Sequence, residues 1–216
     1  MSRVAIQPGA DWHCETAAQA TRRFILACES QGVTATTLIH PLPDSEGNPI
    51  SLDVGFFGEP NASRLLVIVS GMHGVESLPG AAIQVGWIES GGAQLLPPDT
   101  AVLMVHQANP WGCAYRRRFN EDNIDLNRNF LDFSLPLPVN DNYPSIHDQL
   151  KPGTTLGDFG ERSGDFLAEL VAGEGIDSVI DLLMAGQHQF PYGFGYGGQE
   201  TAWSHRSLAQ LMAAYA

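Results

Sequence analysis

The chain has few cysteines, few basic residues and no long apolar run. Its 3 cysteines have no CxxC spacing, so we expect reduced thiols and neither a disulfide framework nor a cysteine-rich zinc site. Only 11 Lys and Arg stand against 24 Asp and Glu, and the formal net charge of −13 opposes binding to nucleic acid or to an anionic membrane. The N-terminus lacks the apolar core of a signal peptide, and no 18-residue apolar run follows. These features predict a soluble, cytoplasmic protein with no nucleic-acid or membrane partner.

A serine nucleophile is also disfavoured, because Ser70 and Ser77 lie in no GxSxG elbow. With 216 residues, 44% of them hydrophobic, the chain can bury the core of one α/β domain. No internal repeat and no linker divides it. We therefore expect a single domain over residues 1–216.

The apolar pattern alternates between helix and strand. Helical spacing over Glu15 to Gln31 ends at a glycine, and a second helix is predicted from Leu78 to Glu89. Four strands are predicted, at residues 33–39, 50–57, 64–69 and 101–106. Residues 131–160, rich in Pro, Asn, Asp and Gly, predict a long loop. Helical patterns then return at residues 162–172, 177–185 and 204–215.

A polar segment, SGMHGVES, directly follows the third predicted strand. His73 and Glu76 lie three residues apart in it, so an imidazole nitrogen and a carboxylate oxygen can reach one ion from a single turn. A catalytic zinc typically takes three protein ligands and keeps a fourth position for water. An HxxE pair alone is usually a pair of solvated side chains. Its place at the carboxyl end of a strand, where open α/β sheets bind ligands, favours a metal site here.

A second segment, RRRFNEDNIDLNRNF, supplies cationic and amide side chains. The Arg128 guanidinium offers a planar fork that matches a carboxylate, with Asn127 beside it. Arg118 is our candidate for stabilising an oxyanion on an attacked carbonyl. Arg117 is nearly as plausible, because the spacing does not decide between the two.

SGMHGVES, the ANPWGCAYRRRFNEDNIDLNRNF segment and GQHQFPYGFGYGG together resemble the carboxypeptidase A-like zinc hydrolase superfamily, and within it a bacterial branch of unknown function. The resemblance covers residues from about Phe24 onward. It implies a three-layer α/β/α fold with a mostly parallel or mixed sheet. It also implies that His73 and Glu76 bind zinc and that Asn127 and Arg128 hold a substrate carboxylate.

The superfamily's third zinc ligand, a His on a later strand, and its general-base Glu have no match before Ala216. The resemblance therefore implies an N-terminal portion of the catalytic domain, with an incomplete sheet whose uncovered edge promotes self-association. His188 is the alternative third ligand within the chain, although its position in the branch is usually Tyr.

The leading hypothesis is a zinc-dependent hydrolase that cleaves an amide next to a free carboxylate, as a metallocarboxypeptidase does. An N-acyl amino acid deacylase of the aspartoacylase type shares the same elements. The substrate is accordingly expected to be a small peptide or an N-acyl amino acid. The rival from another class is a non-catalytic fragment, because two ligands without a general base should hold zinc weakly and turn over slowly.

Overall fold

A computed structural model of the protein describes residues 11–150 and 156–215, with the backbone alone for residues 156–163. The chain divides into two compact units. The first comprises Met1–Asn120 with Ser207–Ala216, and the second comprises Glu121–Arg206.

The first unit contains a four-stranded mixed sheet. Its strands are β1 (Thr36–Ile39), β2 (Ser51–Gly58), β3 (Arg64–Val69) and β4 (Thr100–His106), in the order β1-β2-β4-β3. The pairs β1/β2 and β2/β4 are antiparallel, whereas β3 and β4 are parallel. The α/β class and the mixed sheet predicted from the sequence are confirmed.

Two helices cover one face of this sheet: α1 (Ala17–Ser30) and α2 (Ser77–Glu89). The Thr16 hydroxyl caps α1 by accepting from the N–H of Gln19 at 3.2 Å, and the helix is followed by Gly32 at φ +73°. The buried cluster between helices and sheet consists of Phe24, Ala27, Cys28, Phe57, Val85, Ile88, Val102 and Met104. This burial holds α2, and the turn before it, against the sheet.

Strand β3 lies at one edge of the sheet, with β4 as its single neighbour among the described residues. Its apolar side chains remain open to solvent, with Leu66 53% and Val67 38% exposed. Strand β4, in contrast, is buried along nearly its whole length. Strand β3 therefore presents an exposed apolar edge.

Four further helices follow the short helix α3 (Pro110–Tyr115): α4 (Tyr143–Leu150), α5 (Leu156–Glu174), α6 (Ile176–Met184) and α7 (Trp203–Tyr215). The prediction of a continuous loop over residues 131–160 is wrong at α4 and at residues 156–160, which form the first part of α5. Tyr143, Ile146 and Leu150 of α4 are buried against apolar residues of α5, α6 and the loop after α6, and this burial stabilises a helix that composition disfavours. Residues 151–155 of that predicted loop lie outside the described residues.

None of the helices in the described ranges is long and apolar enough to cross a membrane.

Candidate metal and carboxylate sites

The turn between β3 and α2 brings His73 and Glu76 together. A 3₁₀ turn at Gly74–Glu76 runs directly into α2, and the N–H of Glu76 donates to the carbonyl of His73 at 3.0 Å. His73 Nδ1 lies 3.1 Å from Glu76 Oε1. The His73 side chain is 9% exposed and that of Glu76 61%, so a buried nitrogen and a surface carboxylate oxygen converge on one point.

Arg118 reaches this pair from a later segment of the same unit. Its Nη1 lies 3.9 Å from Glu76 Oε1. Arg117 instead places its guanidinium over the ring of Trp111, with Cζ 5.8 Å from the centroid. By contact, Arg118 is the arginine that accompanies the HxxE turn.

Close packing of two glycines docks α3 on the HxxE turn. A methyl group added to Gly74 would lie 1.9 Å from the carbonyl carbon of Gly112, so only glycine fits. Asn109 caps α3 by accepting from the N–H of Gly112 at 2.9 Å. The chain then reverses at Arg116, which adopts φ +52°, and this reversal directs Arg118 back to Glu76.

The donor atoms of His73 and Glu76 suit zinc, since imidazole nitrogen and carboxylate oxygen are common ligands of that ion. They fill two ligand positions. Across residues 11–150 and 156–215 no three or more His, Cys, Asp or Glu side chains cluster as a metal site would require. Cys113 packs beside the turn, and burial raises the pKa of its thiol to about 12.

In the second unit, Asn127 and Arg128 project from a 3₁₀ turn at Leu126–Arg128. The Asp125 carboxylate caps the turn by accepting from the N–H of Asn127 at 3.0 Å. Asp125 and Leu126 are buried, whereas Asn127 is exposed and Arg128 is half-buried. The two residues predicted to bind a carboxylate are thus the accessible ones of the turn.

Main-chain carbonyls orient the Arg128 guanidinium. Nη1 donates to Asn127 O at 3.0 Å and Nη2 donates to Met184 O, while the buried Nε has no hydrogen-bond partner. Gly186, at φ +66°, faces this side chain, because a methyl group there would lie 2.8 Å from Arg128 Cδ. Since a guanidinium carries five N–H donors, some remain for a ligand.

His188, the alternative third ligand, is buried in the second unit. Its Nδ1 donates to the carbonyl of Gly198 at 2.6 Å, which leaves Nε2 as the acceptor nitrogen. Metal-binding histidines commonly make this bond from their second nitrogen, but so do structural ones. Among the described residues, His188 belongs to no group of three or more His, Cys, Asp or Glu side chains that could hold a metal. Its role as third zinc ligand stays a prediction.

Asn129 is a residue whose importance the sequence did not indicate. It is completely buried, and its Nδ2 donates to Gly197 O at 2.8 Å and to Glu200 O at 2.9 Å. Its Oδ1 accepts from the N–H of Ala202 at 2.9 Å. One side chain therefore connects the Asn127–Arg128 turn to the glycine-rich loop, and its place two residues after Asn127 is the only signal for it.

Comparison of sequences identifies the family. The profile of a family described as "Protein of unknown function (DUF2817)" matches residues 13–216. The chain belongs to this family. Both candidate sites fall within the matched residues. No curated protein matches the chain in sequence.

Solved structures show only distant likeness. A glutaminyl cyclase from Tannerella forsythia is 14% identical, over 59% of this chain and 50% of that one, with a TM-score of 0.36. A Zn-dependent exopeptidase from Parabacteroides distasonis gives the same four values. The Porphyromonas gingivalis glutaminyl cyclase is 11% identical, over 45% and 46% of the two chains, with a TM-score of 0.29. The chain spans about half the length of these structures.

Proposed function

We propose that this protein acts as a zinc-dependent hydrolase of an amide bond that lies next to a free carboxylate. The observation that supports the proposal is the 3.1 Å approach of His73 Nδ1 to Glu76 Oε1, with Arg118 Nη1 3.9 Å from the same oxygen. Two zinc ligand types therefore lie on a single turn, and a cation from a later segment lies beside them. These are two of the three protein ligands that a catalytic zinc typically takes, together with a cation beside them.

His73 and Glu76 would hold the ion, and bound zinc supplies a water of lowered pKa and polarises a carbonyl. Arg118 would place positive charge where an oxyanion develops. Removing one such donor from a hydrolase commonly lowers kcat by a factor of about 10²–10³. Asn127 and Arg128 would recognise the carboxylate of the substrate.

Two alternatives remain and have separate tests. An N-acyl amino acid deacylase of the aspartoacylase type would use the same residues, so hydrolysis of N-acyl amino acids must be compared with hydrolysis of peptides. A non-catalytic zinc- or carboxylate-binding protein is favoured by one observation: the described residues supply two zinc ligands and not three. Such a protein would bind zinc and hydrolyse neither substrate class.

Zinc content is the first experiment. The protein purified without chelator is expected to contain zinc, and His73→Ala should remove it. The matched control is His13→Ala, which removes an exposed histidine outside the HxxE turn and should leave the zinc content unchanged. Equal zinc in parent and His73→Ala would place the ion elsewhere and refute the assignment.

The arginines are compared next, with free and C-terminally amidated peptides as substrates. Arg118→Ala should lower kcat far more than Arg117→Ala, since the Arg117 guanidinium stacks on Trp111. A preference for the free carboxylate should disappear in Arg128→Ala while zinc content is retained. Equal hydrolysis of amidated and free peptides by the parent would exclude carboxylate recognition.

A further inference from the structure

A chain of buried polar side chains lies directly beneath the turn that carries His73. Ser70 is 7% exposed, Gln84 1% and His106 0%. Polar groups at this depth need hydrogen-bond partners, since an unpaired one is destabilising. Their connections therefore fix their geometry.

Gln84, in the middle of α2, forms hydrogen bonds to Ser70, just after β3, and to Val105 and His106 at the end of β4. Its Oε1 accepts from the Ser70 hydroxyl at 2.9 Å and from His106 Nδ1 at 3.0 Å. Its Nε2 donates to the carbonyl of Val105 at 2.9 Å. Because a carbonyl can only accept, the amide nitrogen must face Val105, and His106 must carry its proton on Nδ1.

This arrangement has a cost in stability. With the proton on Nδ1, His106 Nε2 is a buried acceptor, and it has no partner. The imidazole otherwise stacks on Phe24, with ring centroids 4.5 Å apart. Apolar residues would fill this space without an orphan nitrogen, so the network serves something besides core packing.

Ser70 links the network to the HxxE turn. Its N–H donates to Val105 O at 2.9 Å, and its carbonyl accepts from the N–H of Ala108 at 2.9 Å. Its hydroxyl oxygen also accepts from the N–H of Gln107 at 3.3 Å. Every polar group of Ser70 is therefore held, three residues before His73.

We infer that Gln84 is a positioning residue for the metal-binding turn, because it fixes through Ser70 the end of β3 from which His73 projects. The inference rests on the proposed function where it concerns zinc. Its structural part, the immobilisation of the turn, can be measured without metal. Partners outside the ligand shell that orient metal ligands typically change metal affinity by a factor of about 10–100.

The test compares Gln84→Met with Val85→Ala. Methionine has nearly the length of glutamine but offers neither the amide oxygen nor the amide nitrogen, so Ser70 and His106 lose their acceptor and Val105 O loses its side-chain donor. Val85 is the next residue of α2, 1% exposed and packed in the apolar cluster against the sheet. Its truncation destabilises the same helix without touching the network.

Zinc affinity is measured by competition with a chelator at a temperature where circular dichroism shows every variant folded. Gln84→Met should bind zinc about 10–100-fold more weakly than the parent, and Val85→Ala within about twofold of it. Ser70→Ala, a smaller change, should weaken zinc in the same direction. The double variant Ser70→Ala/Gln84→Met should bind zinc little more weakly than the weaker-binding single variant, since the two substitutions break the same linkage. Equal affinities of Gln84→Met and Val85→Ala, or additive effects in the double variant, would overturn the inference.

Amide hydrogen exchange in metal-free protein separates this inference from the proposed function. Exchange of residues 71–76 should accelerate in Gln84→Met and not in Val85→Ala. If the parent binds no zinc, but exchange of residues 71–76 accelerates in Gln84→Met and not in Val85→Ala, the proposed function fails and the positioning role stands. If the parent binds zinc but exchange is alike in both variants, the positioning role fails alone.

Discussion

The contact between the HxxE turn and α3 is the feature whose disturbance should be the most damaging. In Gly74→Ala, the new methyl group would lie 1.9 Å from the carbonyl carbon of Gly112, 2.1 Å from its oxygen and 2.4 Å from the nitrogen of Cys113. All three atoms belong to the backbone. No side-chain rotation can relieve the overlap, so the turn and α3 must separate.

The size of the effect follows from these distances. Non-bonded carbon atoms settle near 3.5 Å, so the two segments must move apart by roughly 1.5 Å. Overpacking of this kind costs about 1–3 kcal/mol, and the backbone position places Gly74→Ala near the upper end of that range. His73 and Glu76 move together on the turn, whereas Arg118, already 3.9 Å from Glu76, is left behind. Catalysis should therefore suffer more than zinc affinity.

Urea denaturation monitored by circular dichroism measures the loss, with two glycine controls. Gly112→Ala should cost less than Gly74→Ala, because its closest contact, 2.4 Å, is with the side-chain nitrogen of Asn109 and its closest backbone contact, with Arg117 O, is 2.9 Å. Gly173→Ala, inside α5 with nothing within 4 Å, should be neutral or stabilise by up to about 1 kcal/mol. A Gly74→Ala protein that unfolds at the same urea concentration as the parent would refute the described docking of α3.

Three further predictions concern other parts of the chain. Gly186→Ala should weaken binding of small carboxylates by displacing Arg128. Gly175→Ala, also at positive φ but with nothing within 4 Å, should not. Isothermal titration calorimetry measures the carboxylate affinity of both variants, and equal affinities would contradict the packing of Gly186 against Arg128. Burial lowers the pKa of His106 from 6.5 to about 3, so the unfolded chain binds the extra proton between these values and the free energy of unfolding should fall as the pH drops through this window. The fall should be roughly 5 kcal/mol greater than in His106→Asn, and parallel pH profiles from urea titrations would contradict it. Leu66→Lys, which charges the exposed edge strand, should reduce self-association in analytical ultracentrifugation; a parent that is monomeric at every concentration would refute the expected self-association.

The main elements of the first unit could be predicted because local apolar patterns mark them. Helix α1 has its core residues Phe24, Ala27 and Cys28 at helical spacing, whereas β4 is a continuous buried apolar run. Helix α4 could not be predicted in this way. It has only eight residues, Tyr143–Leu150, in a stretch rich in turn formers, and an isolated helix of that length is unstable in water. Its stability comes from packing against α5 and α6, which no local pattern records.

The candidate site divides in the same way between local and distant contacts. Because His73 and Glu76 are three residues apart, their approach was predictable from spacing alone. Spacing alone could not predict whether Arg117 or Arg118 lies beside this pair. The choice depends on the left-handed backbone of Arg116 at φ +52°, a conformation uncommon outside glycine, and on the docking of α3 against Gly74.

Buried polar residues are the hardest to recognise from sequence. They affect how the carboxylate-binding role of the turn at Leu126–Arg128 must be tested. Asp125 and Asn129 are buried and hydrogen-bonded to the backbone, whereas Asn127 is exposed and Arg128 is half-buried. Alanine at any of the four can abolish ligand binding, but for different reasons. Alanine at Asp125 or Asn129 leaves backbone groups unpaired and lowers stability. Alanine at Arg128 removes the side-chain partner of Met184 O as well, whereas alanine at the exposed Asn127 should leave stability unchanged. Loss of carboxylate binding therefore identifies a ligand contact only where the unfolding midpoint is unchanged.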